Sequence, residues 1–458
     1  MVRGGRDAVV GDAGSPLASF LDPPVDLQRL RASRPATLAR RIAYRTLLGP
    51  GWPPTLRPVS AGAVLPRLVS PDLYIHLPFC GVRCPHCPYT TALDDPERRA
   101  VYAAALIREL DAYATGGDVP PASSLYIGGG TPSRTPELVE LVLELIRPWL
   151  APGAEVGVEV HPADAETDLL ARLKTAGVTR VSLGIETLRP DLLRLLGRTY
   201  TPLQALAAIH RAKACGFDCV DVNLIFAIPG QSAEDAVRDA ERCLELGVDQ
   251  VSAYPLFTFP YTALGRRIAT GDLRPVGDRR RLAAQRGIAR ACRRHGLARS
   301  SVWSFTRPGV APYSTVTHDS YVGFGVGAGS KVDDEMRFNT FSFEAYVAAD
   351  PPRPALRLVM DERATRTHWL YWQAYRTHLD PAAYRRRFGR ELELDMGRWL
   401  TLLRVLGLAR RHPGGDYHLT ERGSIWVHRL QALFSLAYID QLWGTARGDP
   451  WPDAVPLR

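Results

Sequence analysis

The chain has 458 residues, 46% of them apolar and 23% charged, with a formal net charge of +9. That balance belongs to a globular chain with a sizeable core and excludes general disorder. No apolar run reaches the ~18 residues of a membrane span, and Met1–Phe20, carrying Arg3, Arg6, Asp7 and Asp12 without an apolar centre, is not a secretory signal.

Residues 1–70, rich in Pro, Gly, Ala and Arg, read as an extension with a short helix over Pro35–Leu48. From Leu73 onward, short β-like runs alternate with helical patterns. The expected strands are Leu73–Leu77, Ser124–Ile127, Glu155–Val160, Arg180–Leu183, Cys219–Ile225 and Gln250–Tyr254. The expected helices between them are Asp95–Ala114, Thr135–Trp149, Thr167–Ala176, Thr201–Ala214 and Ala233–Leu246, followed by Asp278–His295. Six βα units in series predict an α/β fold, an incomplete (β/α)6 TIM-type barrel, over residues 71–350. Residues 355–458 change character: helices over Ala364–Leu379, Asp395–Leu406 and Thr420–Phe434 surround a hairpin centred on Pro413-Gly414-Gly415. This pattern fits a small winged-helix-like α+β domain or a helical lid.

The chain holds only three lysines, and its arginines are scattered among 48 acids. The run Arg279, Arg280, Arg281, Arg286, Arg290, Arg293 and Arg294 lies on a helical pattern and reads as a solvated face, not a nucleic-acid footprint. Seven cysteines, three of them within eight residues, are not a secreted disulfide framework and point to the reducing cytoplasm.

The sharpest motif is Tyr74-Ile-His-Leu-Pro-Phe-Cys80-Gly-Val-Arg-Cys84-Pro-His-Cys87. Three thiols at this spacing, directly after a strand, can wrap one metal centre; thiolate suits zinc or iron–sulfur. Zinc wants a fourth ligand near by, whereas three cysteines on a four-iron cluster leave one iron open to substrate. Gly128-Gly129-Gly130-Thr131-Pro132 follows the second strand, where bare glycines let the backbone approach a ligand. Glu155 and Glu159 alternate with Val156, Val158 and Val160, which places Glu159 at the C-terminal strand end, where barrel sites lie.

The cysteine spacing in a βα context resembles the radical S-adenosylmethionine (SAM) superfamily. The ordered set Tyr74–Cys87, Tyr126–Pro132, Glu155–Pro162, Val181–Glu186, Leu196–Arg198, Asn223–Gln231 and Gly323–Ser330 resembles its oxygen-independent coproporphyrinogen III oxidases and haem chaperones. The resemblance implies a [4Fe–4S] cluster on Cys80, Cys84 and Cys87 that reduces SAM to a 5′-deoxyadenosyl radical. It implies an electron donor such as flavodoxin or ferredoxin, and a small-molecule substrate. Tyr74, Gly130, Glu159 and Gly329 fall at positions serving the cluster-bound SAM, and Gly129 is a further cofactor-binding candidate. His86, Thr131, Glu186, Arg198, Asn223 and Phe257 fall at positions serving a second SAM. His76 is a candidate catalytic residue, or one that orients the cluster loop.

Three departures from that pattern direct the functional expectation. Tyr89 stands where the oxidases carry a fourth cysteine. Arg307-Pro308-Gly309 is followed by Ala311–Asp319, without the His-Asn-x-x-Tyr-Trp stretch of the chaperones, although His318 remains. Glu186 and Asn223 exchange the family's usual amide and carboxylate, which points to a shared ligand. The branch then expected is a two-SAM radical methyltransferase acting on an sp2 carbon of a natural product or tetrapyrrole, with the aromatic run Tyr254–Tyr261 lining a planar pocket or packing as core. The alternative is a haem chaperone or coproporphyrinogen III oxidase-like tetrapyrrole enzyme.

Overall fold

The computed structural model describes residues 54–60, 72–312 and 319–457, with the backbone alone for 430–437. The expected helix over 35–48 and His318 lie outside these residues. Six βα units run as β1 (Asp72–Leu77), α1 (Pro96–Thr115), β2 (Ala122–Gly129), α2 (Pro136–Ile146), β3 (Leu150–Val160), α3 (Thr167–Thr175), β4 (Arg180–Glu186), α4 (Pro202–Ala214), β5 (Cys219–Phe226), α5 (Ala233–Glu245), β6 (Gln250–Pro255) and α6 (Asp278–Arg294). β1 to β6 pair side by side in chain order, all parallel. Right-handed crossovers through the helices produce this order. β4 and β5 are buried along nearly their whole length, as expected for strands covered on both faces.

The helix ends are written in local chemistry. Asp95 caps α1, accepting from the Glu97 and Arg98 amides. Reciprocal capping boxes, Thr201 with Gln204 and Ser232 with Asp235, start α4 and α5. Gly216 (φ +70°) and Gly247 (φ +72°) turn the chain left-handed after those helices, towards the next strand.

The sheet does not stop at six strands. β7 (Tyr321–Phe324) pairs parallel to β1, with Tyr321 opposite Asp72 and Phe324 opposite Ile75. An antiparallel meander follows: β8 (Gly329–Val332), β9 (Glu335–Asn339) and β10 (Pro354–Val359). Beyond β10 come Thr55–Pro58 and then Val455–Pro456, so both ends of the described chain join one fourteen-stranded open sheet. The barrel is incomplete, as expected. The expected boundary near 355 is corrected by one strand, because β10 is hydrogen-bonded to β9 along its length.

The winged unit therefore begins after β10. It runs α7 (Glu362–Tyr375), β11 (His378–Leu379), α8 (Pro381–Phe388), α9 (Leu392–Val405), β12 (Ala409–Arg411) and β13 (Tyr417–Leu419), with strand order β11-β13-β12. Helix, strand, two helices and a hairpin, with the first strand beside the last, is winged-helix connectivity. The long helix α10 (Glu421–Gly448) leads back across the barrel. α8 is absent from the sequence reading: its apolar positions are few, and Tyr384 is its one fully buried large residue. Among the described residues no helix is long and apolar enough to cross a membrane.

Candidate functional site

The C-terminal ends of β1 to β6 open on one side, and the cysteine loop lies across them. Phe79–Cys80 pairs parallel with Ala92–Leu93, closing residues 80–93 into a loop. The amides of Ala92 and Asp94 donate to the Pro78 and Cys80 carbonyls at 2.8 and 3.0 Å. The Cys87 amide donates to the Cys84 carbonyl at 3.2 Å, closing a tight turn between the last two cysteines. Thr131 Oγ1 donates to Cys80 Sγ at 3.6 Å. Burial pushes the Cys80 thiol up to about 11 and Cys87 up to about 12, and raises Cys84 too. Neighbouring thiols add to the rise at Cys80 and Cys87, while the Arg198 cation draws all three back down. The three sulfurs thus lie within electrostatic reach of one another and of one arginine, though not within the 4.8 Å of one another that a closed metal site shows.

His76 answers the question left open about it. It is 4% exposed, and both ring nitrogens are engaged: Tyr74 OH lies 2.9 Å from Nδ1, and Nε2 lies 2.9 Å from the Thr90 carbonyl. A carbonyl only accepts, so Nε2 carries the proton and Nδ1 accepts from Tyr74. Burial holds the ring neutral, with its pKa lowered to about 4. The catalytic assignment is therefore corrected. This histidine ties the far end of the cysteine loop to β1 and has no lone pair left for substrate.

The glycine turn braces the cysteine loop through its amides. The Gly130 amide donates to the Leu77 carbonyl at 2.8 Å and the Thr131 amide to the Phe79 carbonyl at 2.7 Å. The Gly129 amide donates to Glu159 Oε2 at 3.2 Å. These N–H groups hold the cysteine loop and Glu159. A Cβ on Gly130 would sit 2.6 Å from the Pro78 backbone, so the glycine is required by chain-on-chain approach. Glu159 also accepts from Tyr126 OH at 2.6 Å. Tyr126, inside the motif but unassigned from sequence, stacks on Tyr74 with ring centroids 6.2 Å apart. Gly329 opens β8 opposite Phe338, whose ring occupies its Cβ side.

Glu186 ends β4 in a left-handed conformation (φ +60°) that non-glycine residues seldom adopt, at a register shift against β5. Its carboxylate is 4% exposed and forms an ion pair with Arg198. Burial raises the Glu186 carboxyl, and Arg198 pulls it back. Glu186 Oε2, Arg198 Nε and His86 Nδ1 are buried without a hydrogen-bond partner. Such atoms are costly unless something supplied from outside meets them.

Asn223 stands opposite Gly184 in the pairing of β4 with β5. Its Nδ2 donates to Ser182 Oγ at 2.7 Å, and Ser182 in turn donates to Asp221 Oδ2 at 2.7 Å. Asp221 also accepts from Ser252 at 3.0 Å; burial lifts it to about 6. This buried network inside the barrel was missed, although Asp221 and Asn223 alternate with Val220 and Val222 on one strand face. Phe257 stacks with Tyr254 at 6.4 Å and meets Trp303 edge-on at 6.1 Å, walling the β6 side of the opening. The α10 helix returns to the cysteine loop, where Arg447 donates to the Pro88 and Tyr89 carbonyls at 2.8 and 2.7 Å and lies over the Tyr261 ring.

The Radical SAM superfamily model matches residues 74–243. The heme chaperone HemW of Mycobacterium tuberculosis is 37% identical over 231 residues, 48% of this chain and 58% of that one. The chain thus spans less than two thirds of that relative. The heme chaperone HemW of Lactococcus lactis is 30% identical over 284 residues, 61% of this chain and 74% of that one. The solved coproporphyrinogen III oxidase (HemN) of Escherichia coli, a radical SAM enzyme, shares the fold at a TM-score of 0.66 and 20% identity, covering 80% of this chain and 90% of that one. These likenesses do not support the methyltransferase branch expected from the sequence and fit its alternative better. The superfamily's chemistry uses a [4Fe–4S] cluster and SAM, and a three-thiol loop pinned beside unsatisfied buried polar atoms fits both. The chain belongs to the radical SAM superfamily, within its HemN/HemW-like family.

Proposed function

We propose that this protein is a tetrapyrrole-handling radical SAM protein of the haem-chaperone type. The observation that carries the reading is the 30% identity with a protein named heme chaperone HemW over 74% of that protein's length. Cys80, Cys84 and Cys87 hold the cluster, and Tyr89, exposed in the loop, offers no fourth thiolate. When bound, the cluster supplies one-electron reduction of the SAM sulfonium. The protein's own residues do the holding. His76, through Thr90, and Arg447, through Pro88 and Tyr89, anchor the loop at its C-terminal side. The Arg198 guanidinium favours the thiolate form that iron requires. Glu186 Oε2, Arg198 Nε and His86 Nδ1 meet the polar groups of SAM, which relieves their burial cost. Glu159, braced by Tyr126 and Gly129, presents a fixed carboxylate beside them.

The chaperones' His-Asn-x-x-Tyr-Trp stretch is absent after Arg307-Pro308-Gly309, so haem retention is the decisive measurement. Haem added to the anaerobically reconstituted protein should give a Soret band that survives gel filtration at about one equivalent per chain. A cluster-loaded protein that emerges free of haem overturns the chaperone reading. Formation of S-adenosylhomocysteine in step with a methylated product would restore methyl transfer.

A further inference from the structure

Far from the cysteine loop, the small sheet of the winged unit gathers three of the chain's eleven histidines. In the antiparallel pairing of β11 with β13, His378 stands directly opposite His418. Opposed residues in such a ladder share one face with Cβ atoms about 5 Å apart, and the two rings lie 4.5 Å apart, centroid to centroid. Asp416 precedes His418 by two residues, so an extended chain returns it to that face. The turn 412–416 closes with the His412 amide on the Asp416 carbonyl at 2.8 Å, which brings the His412 ring to 4.1 Å from His418.

Donor atoms of His378, Asp416 and His418 all lie within 4.8 Å of one another, and among the described residues no other trio of histidine, cysteine and acidic side chains meets that spacing. His378 Nε2 is 3.0 Å from Asp416 Oδ2. Two arginines flank the cluster: Arg410 stands opposite His418 in the pairing of β12 with β13, and Arg411 reaches Glu393 at 3.6 Å, the Gly415 carbonyl at 3.3 Å and the Tyr417 ring.

We propose that His378, Asp416 and His418 bind a divalent transition metal ion of the zinc class, with His412 close enough to supply a fourth ligand. Two or three imidazoles and one carboxylate form a borderline donor set that suits zinc and the late first-row metals and does not suit the oxygen-seeking calcium or magnesium. An ion there would clip β11 to the hairpin β12–β13 and hold the wing closed around α8 and α9. The site shares no residue with the cysteine loop, so it stands or falls independently of the proposed function.

The test uses the full chain with Cys80, Cys84 and Cys87 replaced by Ala, which removes the competing thiols, titrated with Co2+. One equivalent should bind with visible ligand-field absorption, and Zn2+ should displace it. His378→Ala and His418→Ala should each weaken binding at least tenfold. A parent that binds no Co2+, or a His378→Ala/His418→Ala double variant that binds it as tightly as the parent, overturns the proposal. Should the variants misfold, Cu2+ bound to the parent reports its own ligands: electron paramagnetic resonance showing coupling to at least two imidazole nitrogens supports the site, and its absence refutes it.

Discussion

In the proposed assignment each of Cys80, Cys84 and Cys87 supplies one of the cluster's three protein ligands. Replacing any one with Ala should reduce iron content and visible absorption to background. Cys243→Ser and Cys292→Ser, on helices and fully buried away from the loop, should keep full iron content. His76 makes a different prediction, in pH. Its ring is held neutral with a pKa near 4, whereas the unfolded chain binds the proton below about 6.5. A histidine with a depressed folded pKa contributes stability above pH 6.5 that is lost as pH falls towards 4. The loss is at most about 3 kcal/mol. Urea midpoints measured across that window should fall, and His76→Gln should flatten the slope by about one proton. An unchanged slope would show that His76 is not kept neutral by the fold.

Among the elements, α1 couples the barrel to its closing segment through Tyr102, Arg108 and above all Glu109. Glu109 accepts from the Gly325 amide at 2.8 Å, Asn339 Nδ2 at 2.6 Å and Tyr346 OH at 2.6 Å. Burial lifts its carboxyl to about 7, against the pull of those three donors. Glu109→Ala leaves three buried donors unmet and should destabilise the protein by about 3 kcal/mol or more, read from the denaturant midpoint. The clue was present in the sequence: Tyr102, Ala105, Leu106, Leu110 and Tyr113 form the apolar stripe of α1, and Glu109 sits within it. A charge on a buried stripe implies a partner, but the pattern does not say that the partners come from residues 325–346.

For the whole molecule, the far end of the chain is part of the barrel's support. Leu56, Phe341, Leu356, Leu442, Val455 and Leu457 form one buried cluster, drawn from the N-terminal strand, the meander, α10 and the C-terminal strand. Deleting residues 449–458 removes Val455 and Leu457 and uncovers the rest. The expected result is a lower thermal midpoint with a single transition and a weaker hold on iron, since Arg447 just upstream clamps the cysteine loop. A separate early transition with unchanged iron retention would show that the C-terminal segment is merely appended.

The sequence by itself determined the six βα units, the cysteine loop and the hairpin of the C-terminal unit, but not its strand β11 or helix α8. Those depend on local periodicity, caps and left-handed glycines, which act within a few residues. Tertiary structure alone decided what the polar side chains do. His76 faces Thr90 because the loop folds back, Asn223 reaches Ser182 because adjacent parallel strands set the register, and Glu186 meets Arg198 through the connection after β4. Strands of two to four residues such as Thr55–Pro58 and Val455–Pro456 carry no readable periodicity. They form only because a finished sheet edge offers them unpaired N–H and C=O groups, and that edge exists only once residues hundreds of positions apart have met.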